Sequence, residues 1–163
     1  MNRRFRSKRN LPTRIPTHKL LCFQLGNERY AIPIDRVLHV LNEFTPHGVI
    51  ESDMPNSTLR DRSLVKYKDE IITLIYPSQL FLSSRDDRER QYLIVCTLKE
   101  GERFAIPVPE IPTVLQVAED NFGEVPELYD RGNLPPAIEK VIQSSDNNIV
   151  FYLNLDKLVN PNP

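Results

Sequence analysis

The stretch Glu28-Arg29-Tyr30-Ala31-Ile32-Pro33-Ile34 decides the fold, because the chain repeats it 74 positions later as Glu102-Arg103-Phe104-Ala105-Ile106-Pro107-Val108. The agreement extends upstream, where residues 20–25 match residues 93–98, and downstream, where residues 40–41 match residues 114–115. A second pair of stretches, 71–80 and 149–158, agrees at a similar distance. The sequence therefore predicts two related halves, near 20–82 and 92–159, built on one supersecondary unit.

The repeated unit has the pattern of a β-hairpin. Apolar side chains occupy every second position of residues 21–25 and of residues 30–34, and residues 26–29 supply the turn between them. Because Pro33 cannot donate to a sheet ladder, the returning strand is at an edge or about to leave the sheet, and Pro107 predicts the same event later. The apolar window that follows is too short for a stable helix, so we expect a turn at 35–36 and a strand at 38–41.

The rest of the chain contains more strand-like segments and little helix. We predict strands at 63–67, 71–76, 115–118, 138–142 and 149–153, loops at 43–62 and 119–136, and helical turns at 77–82 and 156–158. Five strand-like segments in each half predict an all-β protein of two five-stranded antiparallel barrels, related by the internal repeat, because closure of a sheet hides its edges.

Charge divides the chain into a basic tail and an acidic body. Residues 1–19 hold seven basic residues and no acidic one, which leaves 14 basic and 22 acidic residues in the other 144. The tail has too few apolar residues to offset the entropy of ordering, so we expect residues 1–19 to be disordered, and residues 160–163 to fray. The tail either solubilises the acidic body or contacts an anionic partner, such as nucleic acid or an anionic membrane.

The sequence contains none of the common catalytic or metal-binding patterns. It has three separate histidines and neither a Cys-x-x-Cys motif nor a glycine-rich phosphate loop. Cys22 and Cys96 lie in apolar runs, where free cysteine is usually a buried hydrophobe, and Cys22 with His39 is the only plausible nucleophile and base pair. We therefore predict a non-enzymatic binding module without cofactor, metal or small-molecule substrate. Without a secretory signal or a long apolar run, we expect it to lie in the cytoplasm with no membrane span.

Residues 20–159 resemble the CheW-like adaptors of bacterial chemotaxis. Residues 20–37 are similar to the family's opening, in which a strand ending in Leu-Gly is followed by a tyrosine and an Ile-Pro-Ile strand. Residues 149–159 resemble its closing strand, which usually ends Leu-Asp-x-x-Lys-Leu-Leu, and residues 68–75 stand at its Arg-Gly turn and following strand. The resemblance implies two SH3-like barrels without catalysis. It also implies an adaptor that joins a chemoreceptor-like protein to the regulatory domain of a histidine kinase, in taxis or pilus-based motility.

The resemblance also implies a partner-binding site. Val37 and His39 occupy strand positions that face partners in the family, where glutamate is common at the second of them. Lys68 replaces the family's arginine, and Lys66, Tyr67 and Lys68 form the candidate turn. Lysine keeps the charge of arginine but loses its rigid two-donor fork. Around this turn and the strand after it, the chain departs from the family pattern at five positions: Lys66 for asparagine, Lys68 for arginine, Asp69 for glycine, Thr73 for proline and Tyr76 for aspartate.

Four of the five candidate residues also have a structural explanation. Val37 fits a buried core position, His39 fits an ordinary strand position, and Lys66 with Lys68 fits a solvated basic turn. The alternative function is a CheW-fold binding module that the basic tail recruits to a nucleic-acid or membrane-associated assembly. The sequence leaves these alternatives open.

Overall fold

The computed structural model describes residues 15–47, 62–77, 88–130, 134–144 and 146–160. Twelve strands account for most of these residues, and they are, in chain order, β1 Thr17–Leu25, β2 Glu28–Pro33, β3 Val37–Leu41, β4 Pro46–His47, β5 Arg62–Tyr67, β6 Glu70–Ile75, β7 Tyr92–Thr97, β8 Arg103–Val108, β9 Thr113–Ala118, β10 Phe122–Gly123, β11 Ile138–Gln143 and β12 Ile149–Leu153. Short helical segments follow at Ile34–Arg36, Glu119–Asn121, Glu127–Asp130 and Leu155–Val159. The predicted all-β class, with few helical turns, is confirmed.

The strands form two six-stranded sheets with the same connectivity. The first has the order β10-β11-β12-β2-β1-β9 and the second the order β3-β7-β8-β6-β5-β4. In the first sheet, β9 continues into β10 through the 3-10 turn Glu119–Asn121, so both edges belong to one bent segment. In the second sheet, β3 continues into β4 through residues 42–45, so its two edges also belong to one segment. Each sheet therefore consists of five strand segments, as the predicted barrels require.

The barrels do not coincide with the predicted repeat units 20–82 and 92–159. The first barrel combines the hairpin β1–β2 with β9 to β12, and the second combines the hairpin β7–β8 with β3 to β6. The two halves of the chain thus exchange their hairpins. The reason lies at the repeated proline: β2 ends at Pro33 and the chain crosses to β3 in the other sheet, while β8 ends one residue after Pro107 before crossing back.

The central hairpins are buried on both faces, which the predicted one-sided alternation did not anticipate. In β1, Leu21, Phe23 and Leu25 join a cluster with residues from both sheets, which we call the shared core. Leu20 and Cys22, on the opposite face, join a cluster drawn from the first sheet alone. Strands β7 and β8 divide in the same way between the shared core and the second barrel's own core. The repeated sequence is thus the junction of the two barrels.

The boundary of the N-terminal tail differs from the prediction. Thr17, His18 and Lys19 were assigned to a disordered tail but belong to β1, where they pair with residues 116–118 of β9. Main-chain hydrogen bonds hold these three polar residues in the sheet. Because their side chains do not alternate between apolar and polar, the sequence pattern did not indicate a strand here. A short strand, β4, also lies in the predicted loop 43–62. Residues 1–14, most of the predicted helical turn at 77–82 and residues 161–163, which were predicted to fray, lie outside the described residues.

Burial of Cys96 predicts a loss of stability at alkaline pH. The Cys96 side chain is 0% exposed in the shared core, and this burial raises the pKa of its thiol above the ordinary value of 9.0. Above pH 9 the unfolded thiol releases its proton while the folded one retains it, so stability present below pH 9 is lost as the pH rises. For this group, the free energy of unfolding falls by up to about 1.4 kcal/mol per pH unit.

Urea unfolding of the wild type and Cys96→Ala at pH 8, 9 and 10 measures this effect. The variant starts from a lower stability but loses less of it between pH 9 and 10. It keeps part of the pH dependence, because burial also raises the pKa of Cys22 and Tyr30. Equal slopes for the two proteins would contradict the assignment to Cys96.

Candidate functional site

Three of the five predicted site residues, His39, Tyr67 and Lys68, come together at the rim of the second barrel. The ring of Tyr67 belongs to that barrel's core and is 5% exposed. The His39 ring meets it edge to face, with 6.1 Å between centroids and an interplanar angle of 78°. The Lys68 Nζ lies 5.4 Å from the Tyr67 ring centroid, within the range of a cation–π interaction. We call these three residues the rim cluster.

A β-bulge places His39 in the rim cluster. In the β3–β7 ladder, Val37 pairs with Cys96 and His39 pairs with Val95, so Leu38 is the extra residue. A bulge changes the direction of the side chains that follow it. Leu38 is therefore 44% exposed, and His39 reaches the ring of Tyr67 instead of continuing the alternation from Val37.

The turn between β5 and β6 places the other two residues of the cluster. Tyr67 ends β5 opposite Glu70, and Lys68 with Asp69 forms the two-residue turn. Lys68 has a φ of 54°, in the left-handed region that tight hairpin turns use. Because Lys68 follows the tyrosine directly, this turn holds the ammonium group over the ring.

Val37 and Lys66 lie outside the rim cluster. Val37 is half-buried and packs against the shared core, which agrees with the structural explanation for this residue. Lys66 is exposed and pairs with Ile71 across the β5–β6 ladder, on the sheet face opposite Tyr67. The predicted site therefore divides into the rim cluster, one supporting core residue and one lysine on a neighbouring face.

The sheet face that carries Lys66 also contains exposed apolar residues outside the predicted site. Ile71 is 70% exposed, and Leu64, on the same face of β5 as Lys66, is 38% exposed. Beside them, Arg103 Nη1 lies 2.8 Å from Glu70 Oε1 in an exposed ion pair. The sequence could have predicted an exposed apolar residue here from the pair Ile71-Ile72. Successive side chains of a strand point to opposite faces of the sheet, so one of the two isoleucines must point away from the core.

The histidine and cysteine considered as a nucleophile and base lie apart. Cys22 is buried in the first barrel, with Arg29 Nη2 3.6 Å from its Sγ, and burial raises the pKa of its thiol. His39 lies on the second barrel against Tyr67. Among the described residues, no group of three or more His, Cys, Asp or Glu side chains could hold a metal ion. In the same part of the chain, none of the helices has the length and apolar character that crossing a bilayer requires.

The two sheets with exchanged hairpins define an all-β protein of two interlocked barrels. The CheW-like domain family model matches residues 19–161, which is nearly all of the chain, and the protein therefore belongs to the CheW-like domain family. Among solved structures, the chain is similar to the scaffolding protein TtCheW from Thermoanaerobacter tengcongensis, with 16% sequence identity and a TM-score of 0.70. That similarity covers 89% of this chain and 94% of the other. No curated protein matches the sequence.

Proposed function

We propose that the protein is a non-enzymatic adaptor that couples a chemoreceptor-like sensor to the regulatory domain of a histidine kinase, in a taxis or pilus-motility pathway. The observation that carries this proposal is the CheW-like family match across both barrels, residues 19–161. Receptor tips and kinases of this kind meet in the cytoplasm, and we place the protein there. A chain that contains two barrels offers a separate surface to each of two partners.

The rim cluster is the part of the site that we assign to the receptor-like partner. Lys68 and His39 are exposed, so they contact the partner, while Tyr67 fixes their positions from below. Val37 contributes indirectly, because its packing against the shared core fixes the start of β3 before the bulge. Lys66, with Ile71 and Leu64 beside it, extends the contact surface around the edge of the β5–β6 hairpin.

Binding experiments with two separate partners test the proposal. The regulatory domain of the cognate histidine kinase and a receptor-tip fragment are each titrated with the full chain by calorimetry. We expect both to bind with dissociation constants no weaker than roughly tens of micromolar, the range expected of a small non-obligate interface. Absence of binding by the kinase domain and by related barrel domains would overturn the adaptor assignment.

Lys68→Glu is expected to weaken binding of the receptor-tip fragment by about tenfold, because it reverses a charge at the centre of the proposed contact. The free energy of unfolding should fall by no more than about 1 kcal/mol, since Lys68 is exposed and a cation–π contact at an exposed site contributes about 0.5–1 kcal/mol. Lys157→Glu, at an exposed lysine in the C-terminal helix, is the matched control and should leave binding unchanged. Equal affinities for wild type and Lys68→Glu would remove the rim cluster from the receptor surface.

A further inference from the structure

A cavity of about 170 Å³ lies at the seam between the two barrels. One side consists of Pro33 and Arg36, where the chain crosses from the first sheet to the second, with Lys99 from the β7–β8 turn. The other side consists of Glu139 and residues 152–156, at the end of the first barrel. The cavity therefore exists only because both barrels are present, and it lies apart from the rim cluster.

Two cationic residues that line the cavity form no ion pair with any acidic residue that the structure describes. Arg36 makes one long hydrogen bond, from Nη1 to the main-chain oxygen of Thr97 at 3.5 Å, and no ion pair with a described residue. The main-chain N–H of Lys99 donates to Asp156 at 3.3 Å, but its ammonium group likewise forms no ion pair within the described ranges. A guanidinium has five N–H donors, so most of the donors of Arg36 remain available.

The acidic residues of the cavity are already engaged by other groups. Glu139 Oε2 accepts a 2.9 Å hydrogen bond from Asn154 Nδ2 and lies 4.0 Å from Lys157 Nζ. Asp156 Oδ1 accepts the hydrogen bond from the Lys99 main chain. These contacts engage one oxygen of each carboxylate, and among the described residues Arg36 bonds to neither carboxylate.

Tyr152 adds a neutral donor to the cavity. Burial raises the pKa of its hydroxyl, with smaller contributions in the same direction from Glu139 and Asp35, while the nearby Arg36 lowers it. The net shift is upward, so the hydroxyl keeps its proton at neutral pH and can donate a hydrogen bond. A guanidinium, an ammonium and a phenol thus line one small cavity together with the carboxylates of Glu139 and Asp156. Among the described residues, no carboxylate is bonded to any of these three groups.

We propose that this seam cavity binds one small oxyanion, a phosphate ion or a carboxylate group, with Arg36 as the principal ligand. Guanidinium groups match the paired oxygens of both ions and form stronger hydrogen bonds with them than with neutral acceptors. The volume suits one such group and is below the range of about 300–1,000 Å³ typical for larger organic ligands. Because Arg36 and Lys99 belong to the second barrel's connections and Tyr152 to the first barrel, the bound ion joins the two.

Titration of the full ¹⁵N-labelled chain with sodium phosphate and, separately, with sodium acetate tests this proposal. Sodium chloride at equal ionic strength is the reference. We expect saturable amide shifts at Thr97, Lys99 and Tyr152 with a dissociation constant that is roughly millimolar for a single exposed oxyanion. Saturation by phosphate alone identifies a phosphate site, and saturation by acetate identifies a carboxylate site. Linear shifts that chloride reproduces would overturn the proposal.

Variants identify the ligand residue. Arg36→Gln should weaken binding by about tenfold or more, because it removes the charge and the paired donors. Arg36→Lys should give an intermediate affinity, and its retained charge makes it the check on folding. Arg103→Gln, at an exposed arginine that pairs with Glu70 on the second barrel, is the matched control and should bind normally. Unchanged affinity in Arg36→Gln would also overturn the proposal.

Discussion

Expressed separately, residues 1–77 and residues 88–163 are each expected to remain unfolded, and mixing them is expected to restore one folded 1:1 complex. The first fragment carries the β1–β2 hairpin without its neighbours β9 and β12, and it carries β3 and β6 without β7 and β8 between them. The second fragment lacks the complementary strands. Neither fragment can therefore complete a barrel or form the shared core.

Circular dichroism and amide spectra of each fragment and of the mixture measure this outcome. The control is the intact chain with a protease site introduced at 78–87 and cut after folding. That nicked protein should stay associated and unfold cooperatively, since the exchanged hairpins hold the pieces together. Cooperative unfolding of either fragment alone would contradict the exchanged arrangement.

The second large effect is expected for Ile106→Ala. Ile106 is 0% exposed, lies in the shared core and pairs with Ile94 across the β7–β8 ladder. Removing three carbon atoms there leaves a cavity between the barrels, which costs roughly 2–5 kcal/mol of unfolding free energy. This is a large part of the roughly 5–15 kcal/mol that stabilises a typical domain.

Ile111→Ala is the matched control for this substitution, because the same side chain is 64% exposed at that position. Its unfolding free energy should remain within about 0.5 kcal/mol of the wild type. Urea denaturation of both variants measures the difference. A similar loss in the two proteins would show that the shared core does not stabilise the fold as its burial indicates.

The sequence predicted the strands well where local patterns determine them. The alternation of residues 30–34, the proline that ends it and the left-handed turn glycines Gly26 and Gly101 all act over a few residues. The turn at 35–36 is confirmed as the 3-10 turn Ile34–Arg36, and the strand at 38–41 as β3. These features need no information about distant parts of the chain.

Features that depend on distant neighbours were not predictable in this way. The exchange of hairpins depends on which strands pair with each other after the chain passes Pro33 and Pro107. The alternation of apolar residues predicts a strand but does not indicate the partner with which that strand pairs. The helix Glu127–Asp130 lies inside a segment predicted as a loop, because four residues are too few for a periodic signal. The tail's anionic partner remains a prediction.

In the candidate site, too, the contacts between adjacent residues were predictable and the contacts that depend on distant strands were not. Tyr67 and Lys68 are adjacent, so their association could be expected from the chain itself. His39 joins them only because of the bulge at Leu38, and a bulge of one residue leaves no clear mark in the pattern. Val37 is half-buried and packs against the shared core, and its contact with a partner remains a prediction.

The two crossovers at Pro33 and after Pro107 also have a mechanical consequence. Two covalent links run between the barrels in opposite directions, and Arg62 of the second barrel donates a hydrogen bond to the Val159 carbonyl of the C-terminal helix. Any hinge between the barrels would have to run through both links, and opening about it would expose the apolar residues of the shared core to water. We therefore expect the two barrels to move as one body.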